Sequence, residues 1–353
     1  MLEDWQVKSL QNDLAVRDAA LSAMSDGVLL FDPVGELKYA NLRARILLGP
    51  EFATDESALA QLMRKTIFDL RTAIANPNPN APARRHVETS EVVVEAAAFA
   101  AQPPGSVVVV LRDMTEVRNV ERLGRDFVTN ASHELKTPVA SILALSETLR
   151  TAVRDDQPTT ARLLSRLEQE AARLAALVRD LLEVSRLEGR PAPRRLLSLN
   201  PVVEAETERL RLSAENEGLQ LLLAVNAGDP VVAGSEADLA LLVHNLLENA
   251  IRYTPPGGTV SVSLRASDGF AELTVEDTGV GIPALDLDRV FERFYRVDAA
   301  RSRQTGGTGL GLSIVRGIAE SLGGTVGVES QLGVGSRFTV RLPLRESGRS
   351  SDG

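Results

Sequence analysis

Apolar positions change their spacing along the chain, and each change marks a new kind of element. Up to about residue 23 they fall on one helical stripe, with Leu10, Leu14 and Leu21 on a common face. Gly27-Val28-Leu29-Leu30-Phe31 and Leu37-Lys38-Tyr39 then read as the arms of a hairpin turning at Asp32-Pro33-Val34-Gly35. Helices are expected from Asn41 to about Leu48 and from Ser57 to Ala75. Asn76-Pro77-Asn78-Pro79-Asn80 reads as a loop, because proline and asparagine punctuate it. Two strands, Val87 to Ala98 and Ser106 to Arg112, close a small α/β unit with an antiparallel sheet over residues 24–113.

Beyond Asp113 the period lengthens to that of long helices. The first is expected from about Thr115 to Val153, with Val120, Phe127, Ala131, Leu135, Ile142, Leu145 and Leu149 as its core stripe. Asp155-Asp156-Gln157-Pro158 breaks it. The second opens at Thr159 as N-cap, carries Leu163, Leu167, Leu174, Leu177, Leu181 and Val184, and ends at Gly189 before Pro191. A hairpin of two such helices (residues 114–190) cannot bury both stripes by itself; a four-helix bundle formed with a second copy would.

From residue 195 to 345 strands and helices mix, the pattern of an α+β sandwich. Asn200-Pro201 reads as an N-cap followed by proline in the first turn. Ser235-Glu236-Ala237-Asp238 has the form of a capping box opening a helix to about Tyr253. Val260, Val262 and Leu264 alternate, as do Leu273 and Val275, predicting strands around the turn Ser267-Asp268-Gly269. A helix from Leu310 to Leu322 and a hairpin of Thr325–Val328 with Arg337–Leu342 follow. Residues 346–353 are expected to be a disordered tail.

Composition narrows the classes of function. The chain has 353 residues, room for two or three domains, and a net charge of −9, which argues against a nucleic-acid partner. It contains no cysteine, so disulfides, thiolate metal sites and cysteine nucleophiles are excluded. No run approaches the ~18 apolar residues of a membrane span. The expectation is a cytoplasmic protein, or the cytoplasmic portion of a membrane-anchored one.

Candidate chemistry lies in four places. His133, in Ser132-His133-Glu134-Leu135-Lys136-Thr137-Pro138, falls off the core stripe of its helix, so its imidazole faces water as a competent nucleophile. Glu134 can orient the ring or take its proton, and the Thr137 hydroxyl, one turn on, can hold a water nearby. Pro138 leaves the Glu134 carbonyl without its helical donor. In Asn245-Leu246-Leu247-Glu248-Asn249, two amide oxygens four residues apart suit Mg²⁺, a hard cation; Arg252 can meet a phosphate and Tyr253 can pack on a purine. Asp277, at a strand end before Gly279 and Gly281, can accept a hydrogen bond from an adenine amino group while the glycines admit the base. Gly306-Gly307-Thr308-Gly309-Leu310-Gly311 runs into a helix whose N-terminus favours anions. It is neither a P-loop nor a dinucleotide fingerprint. Between the two glycine turns, Phe291-Glu292-Arg293-Phe294-Tyr295-Arg296 with Arg301 and Arg303 suits a lid. Taken singly, each of these is also an ordinary surface feature; their order along one chain is what carries weight.

In that order they resemble the H, N, G1, F and G2 boxes of two-component sensor histidine kinases, over about residues 113 to 343. The residues 24–113 resemble a PAS domain through Asp26-Gly27-Val28, Tyr39-Ala40-Asn41 and Arg112-Asp113-Met114-Thr115-Glu116, with residues 1–23 as a signalling helix before it. Phe127 to His133 is most similar to kinases of the phosphate-sensing type. The resemblance implies a multidomain α+β protein in which a dimeric helical hairpin stands beside a GHKL (Bergerat) sandwich. It implies ATP and Mg²⁺ as cofactors: Asn245 and Asn249 at the metal, Arg252 and Tyr253 beside the nucleotide, Asp277, Gly279 and Gly281 at adenine, and Gly307, Thr308, Gly309, Leu310 and Gly311 near the phosphates. His133 would take the γ-phosphoryl group and pass it to an aspartate on the receiver domain of a response regulator. The Glu134 and Thr137 pattern implies phosphatase action on that regulator as well. Two departures matter. Arg252 stands where many relatives have lysine. Asn245 stands where GHKL hydrolases have the glutamate that activates water, which favours transfer over plain hydrolysis. A flavin-cysteine photosensor is excluded; haem ligation through His86 is weaker than a plain surface role. Rival readings are a kinase-degenerate regulator phosphatase or scaffold, and a GHKL-type ATPase.

Overall fold

The structure is a computed structural model that describes residues 16, 19–49, 63–69, 72, 83–89, 92–152, 157–188, 194–225, 228–297 and 307–345. Most of the expected N-terminal helix, the loop at 76–80, Asp155, Asp156, Gly189, Arg301, Arg303, Gly306 and the tail at 346–353 lie outside the described residues. The chain divides into two compact units, residues 1–126 and 127–353.

In the first unit, β1 (Gly27–Phe31), β2 (Leu37–Ala40), β3 (Ala83–Glu88), β4 (Val93–Ala101) and β5 (Ser106–Asp113) form one sheet in the order β2-β1-β5-β4-β3, antiparallel throughout. The turn after β1 is built as its residues predict: the Asp32 carboxylate accepts the backbone N–H groups of Val34, Gly35 and Glu36. Alternate positions of β4 and β5 (Val94, Ala96, Ala98; Val107, Val109, Leu111) face a core closed by Ala44, Leu47 and Leu48 of α1 (Leu42–Leu48), with Met63 and Ile67 from the helical residues 63–69. The strand expected from Val87 to Ala98 is two strands. Thr89 and Val92 bond to one another and turn the chain between β3 and β4. The turn does have a local signal, the polar run Glu88-Thr89-Ser90-Glu91, which the apolar residues on either side outweighed in the single-strand reading.

The second unit joins helices to a second sheet. α2 (Thr115–Ala152), which starts in the first unit, and α3 (Gln157–Glu188) are the two long helices. α3 begins two residues before the expected Thr159 cap, with Pro158 in the first turn, where its missing N–H has no partner to lose. Next come β6 (Arg195–Ser198), α4 (Leu199–Asn216), β7 (Gln220–Val225), β8 (Val231–Gly234), α5 (Glu236–Tyr253), β9 (Thr259–Ser267), β10 (Phe270–Asp277), α6 (Gly311–Ser321), β11 (Thr325–Gln331) and β12 (Gly335–Pro343). The main sheet runs β11-β12-β10-β9-β7, with β7 parallel to β9; β6 and β8 pair separately. β10 alternates buried and half-buried along its whole length, and its buried face meets the stripe Leu239, Leu242, Val243, Leu246, Leu247, Ala250 of α5. The β9–β10 turn puts Asp268 and Gly269 at positive φ, as a two-residue hairpin requires. The cap of α4 is Ser198 rather than Asn200; Pro201 lies inside the first turn, where backbone N–H groups are unbonded anyway. Ser235 caps α5 by position only: Asp238, expected to complete a capping box, pairs with Arg186 of α3 instead. Among the described residues no helix is long and apolar enough to cross a membrane.

One buried polar side chain ties the first unit together. Asn41, 1% exposed, accepts the N–H groups of Val28 and Ala44 through Oδ1 at 2.9 Å each and donates through Nδ2 to the carbonyls of Leu21 (2.8 Å) and Asp26 (3.1 Å). Asn41→Ala strands those groups and is expected to destabilise this unit by about 2–4 kcal/mol, read as a lowered urea midpoint.

Candidate functional site

The second unit carries a cleft of about 1580 Å³. Its floor is α5. The helix buries its apolar stripe in the sheet, which leaves positions 245, 248, 249 and 252 along the edge of that stripe, facing the cleft. Asn245 is buried and its amide is oriented: Nδ2 donates to the Leu241 carbonyl at 2.8 Å. Oδ1 is thereby the atom offered to α6, where a Cβ on Gly311 would lie only 2.7 Å from it. Asn249 is half-buried one turn on, and Arg252 is held by Glu248 at 2.7 Å.

Asp277 ends β10 on the face of Ala271, Leu273 and Val275, so the period of 2 carries it into the core side of the sheet. Its Oδ1 accepts the N–H of Gly279 (2.8 Å) and of Ser336 (3.3 Å), leaving Oδ2 for a donor in the cleft. Burial pushes its pKa up, against those two hydrogen bonds. The turn that follows is stitched to α5: Val280 donates to the Tyr253 carbonyl at 3.1 Å. A side chain on Gly279 would strike that carbonyl, and one on Gly281, at φ +69°, would strike the Gln331 carbonyl. These glycines serve the chain's own close packing, where the sequence suggested room for a base. Gly281 lines the cleft and Gly279 does not.

Across the cleft, Gly307, Thr308, Gly309 and Gly311 line the wall at the start of α6, while Leu310 points into the core and is fully buried. Gly309 has φ +72° and sits against Phe294, whose N–H donates to the Gly309 carbonyl at 2.8 Å and whose own φ is +62°. Such a backbone in a bulky residue is costly and is held by its surroundings. Phe291 packs edge-on against Phe338 (6.3 Å, 87°), and the Tyr295 hydroxyl donates to Asp286 at 2.5 Å. The start of the expected lid, through Val297, is therefore anchored; Phe291 and Phe294 are packing residues, while Tyr295 lines the cleft. Arg296 lines the cleft beside Tyr253 and within electrostatic reach of Glu134; burial lowers its pKa.

The helical hairpin carries the candidate nucleophile. The chain has three histidines. His86 lies 4.0 Å from Glu95 on an exposed strand and outside the first unit's core, and His244 lies 3.2 Å from Glu206. His133 is exposed on α2, and among the described residues no side chain pairs with its ring. Glu134 beside it is 3.9 Å from Arg173 of α3, and Thr137 donates to the His133 carbonyl at 3.3 Å. His133, Glu134 and Thr137 do not line the cleft. The two regions meet through Phe127, 5.8 Å from the Phe294 ring, and through Asp180 of α3, which accepts the Thr308 hydroxyl at 2.6 Å. No sequence signal marks Asp180: its polar position on a long helix reads as a solvated face.

Because burial raises the pKa of Asp277, the folded state prefers its protonated form. That preference stabilises the fold below the ordinary carboxylate pKa of about 3.9 and is lost as pH rises through the raised value. Asp277→Asn, neutral at every pH, is expected to raise the urea midpoint at pH 7, with the gap closing toward pH 3.5; an unchanged gap across that range is the contrary result.

Comparisons with known proteins bear on this arrangement. Residues 124–190 match the His Kinase A (phospho-acceptor) domain and residues 234–346 the histidine kinase-, DNA gyrase B- and HSP90-like ATPase family. The chain is 42% identical over 238 residues to sensor-like histidine kinase SenX3 of Mycolicibacterium smegmatis, a match covering 67% of this chain and 62% of that protein. It spans less than two thirds of that relative's length. Its likeness to sensor protein SrrB of Staphylococcus aureus, 31% over 346 residues, takes in 96% of this chain and 58% of that one. The solved structure of histidine kinase ThkA in complex with response regulator protein TrrA shares the fold: TM-score 0.54, 18% identity, 90% of this chain and 96% of that chain covered. The phosphate regulon sensor protein PhoR of Pseudomonas aeruginosa is 34% identical over 333 residues, 91% of this chain and 72% of its own. Matched at that identity along most of both sequences, the present chain belongs to the sensor histidine kinases.

Proposed function

We propose that this protein transfers the γ-phosphoryl group of ATP to His133 and then to an aspartate on a response regulator. The observation that carries the reading is a single compact unit holding both a solvent-facing imidazole, unpaired among the described residues, and a cleft walled by a glycine turn, an asparagine pair and a buried aspartate. In the transfer, the bond between the γ-phosphorus and the β–γ bridging oxygen breaks, a phosphorus–nitrogen bond to His133 forms, and ADP leaves. Glu134 takes the imidazole proton, with Arg173 holding its carboxylate in place. Asp277 Oδ2 accepts from the adenine amino group, and Tyr253 packs beside the base. Arg252, Arg296 and the backbone of Gly307 to Gly311 offset the phosphate charge. Mg²⁺ fits the donor set: the Asn245 amide is fixed with its oxygen free, Asn249 lies one turn away, and no cluster of three acidic or histidine ligands competes among the described residues. Bound there with the phosphates, it would supply charge neutralisation.

The remaining assignments belong to the same reading. Residues 114–190 pair with a second copy as a four-helix bundle, supported by Phe127, Leu135, Ile142, Leu145, Leu163, Leu167, Leu174 and Leu181, which stay half-buried in one chain, and by exposed Leu143, Leu164 and Leu182. Residues 24–113 are a PAS-like sensor, supported by the strand order β2-β1-β5-β4-β3 and its single helical face. Residues 195–345 are the nucleotide-binding domain. An asparagine at 245, which is no general base, disfavours a plain ATPase; the intact glycine turns and His133 disfavour a degenerate scaffold.

Two experiments test this. Incubated with γ-labelled ATP and magnesium, the wild type is expected to take up acid-labile, base-stable label and His133→Gln none; steady phosphate release with no protein label would support the ATPase reading instead. Thr137→Ala is expected to keep autophosphorylation within about twofold while slowing dephosphorylation of the cognate regulator about tenfold or more, through loss of a water-positioning hydroxyl. Equal loss of both activities would count against that role.

A further inference from the structure

Asp180 reaches the glycine turn from outside the sandwich. It lies on α3, yet its Oδ2 accepts the Thr308 hydroxyl at 2.6 Å, and both residues line the cleft. Thr308 also accepts the Leu310 N–H at 3.3 Å, so the contact is made at the entrance to α6. Arg252 is at the same place: a Cβ on Gly307 would lie 3.0 Å from its guanidinium. Burial raises the Asp180 pKa, the Thr308 bond opposes that, and Glu248 on one side with Arg179 and Arg252 on the other complete its charged surroundings. A carboxylate thus occupies the approach to a turn whose backbone, helix terminus and nearby arginine are arranged to receive an anion.

We infer that Asp180 is a built-in competitor of the nucleotide's phosphates, latching the glycine turn to α3 and giving way when nucleotide binds. The inference rests on the nucleotide-binding reading above. Its consequence is a coupling with a definite sign. Nucleotide and the α3 contact oppose one another, so binding releases the turn from the hairpin, and the contact lowers nucleotide affinity by the same factor. Asp180 acts here as a positioning residue, since it touches the turn and never the reacting atoms.

The test is calorimetric titration of the full chain with MgADP, alongside the KM for ATP in His133 labelling. Asp180→Asn keeps an acceptor for Thr308 but removes the charge; it is expected to tighten MgADP about fivefold and lower the KM for ATP in proportion, with maximal labelling rate little changed. Asp180→Ser, which removes the charge and whose shorter side chain withdraws the acceptor from Thr308, is expected to tighten binding at least as much, and Asp180→Glu to stay near the wild type. A purely structural role would instead weaken binding or lower the maximal rate. Unchanged or weaker MgADP binding in Asp180→Asn and Asp180→Ser, with wild-type unfolding midpoints, overturns the latch while leaving the nucleotide reading intact. Failure of the wild type itself to bind MgADP overturns both.

Discussion

The packing of α5 on the sheet is the constraint on which the rest depends. A helix of 3.6-residue period and strands of period 2 share one core, and Leu242, Leu246 and Ala250 meet Leu273 and Val275 inside it. Fixing that face fixes the edge of the helix as well. Asn245, Asn249 and Arg252 therefore stand at set positions relative to Asp277, although no hydrogen bond joins them to it. Each fully buried leucine contributes about 2–3 kcal/mol, and the same burial removes the rotational freedom that would blur the cleft.

Close backbone approach is the second determinant. The chain passes itself at the Tyr253 and Gln331 carbonyls and at Phe294, each time through a glycine that leaves no room for a side chain. These contacts join the end of α5 to the turn after β10, that turn to the end of β11, and the segment around Phe294 to the start of α6. The glycine turns are thus the joints of the domain before they are ligand contacts. At Gly311 both demands fall on one atom pair, since the space it vacates is where the Asn245 oxygen sits.

Charge is arranged against stability. Asp277 continues an apolar alternation and is buried where its ionised form is disfavoured, and Asp180 is half-buried against a hydroxyl with Glu248 nearby. Neither charge follows from folding demands; a neutral asparagine would keep an acceptor at each place without the cost of burying a carboxylate. Such costs collect where a ligand's donors and charges will complete the network.

The sequence by itself determined the element types, most of their bounds in the second unit, the exposure of His133 and several of the cleft residues, Asn245, Asn249, Arg252, Tyr253 and Asp277 among them, because amphipathic period, turn chemistry and ordered motifs are all local signals. It misplaced what depends on partners elsewhere. The Ser235 box was undone by Arg186, and β7 gave no hint that it would pair parallel to β9. Tertiary structure alone decided that Gly279 and Gly281 face their own chain, that Phe291 and Phe294 anchor rather than cover, and that Asp180 meets Thr308 across 128 residues. The physical reason is the same throughout: a helical face or a turn is set by neighbours within a few residues, whereas a contact between carboxylate and hydroxyl exists only once two separately specified surfaces have packed.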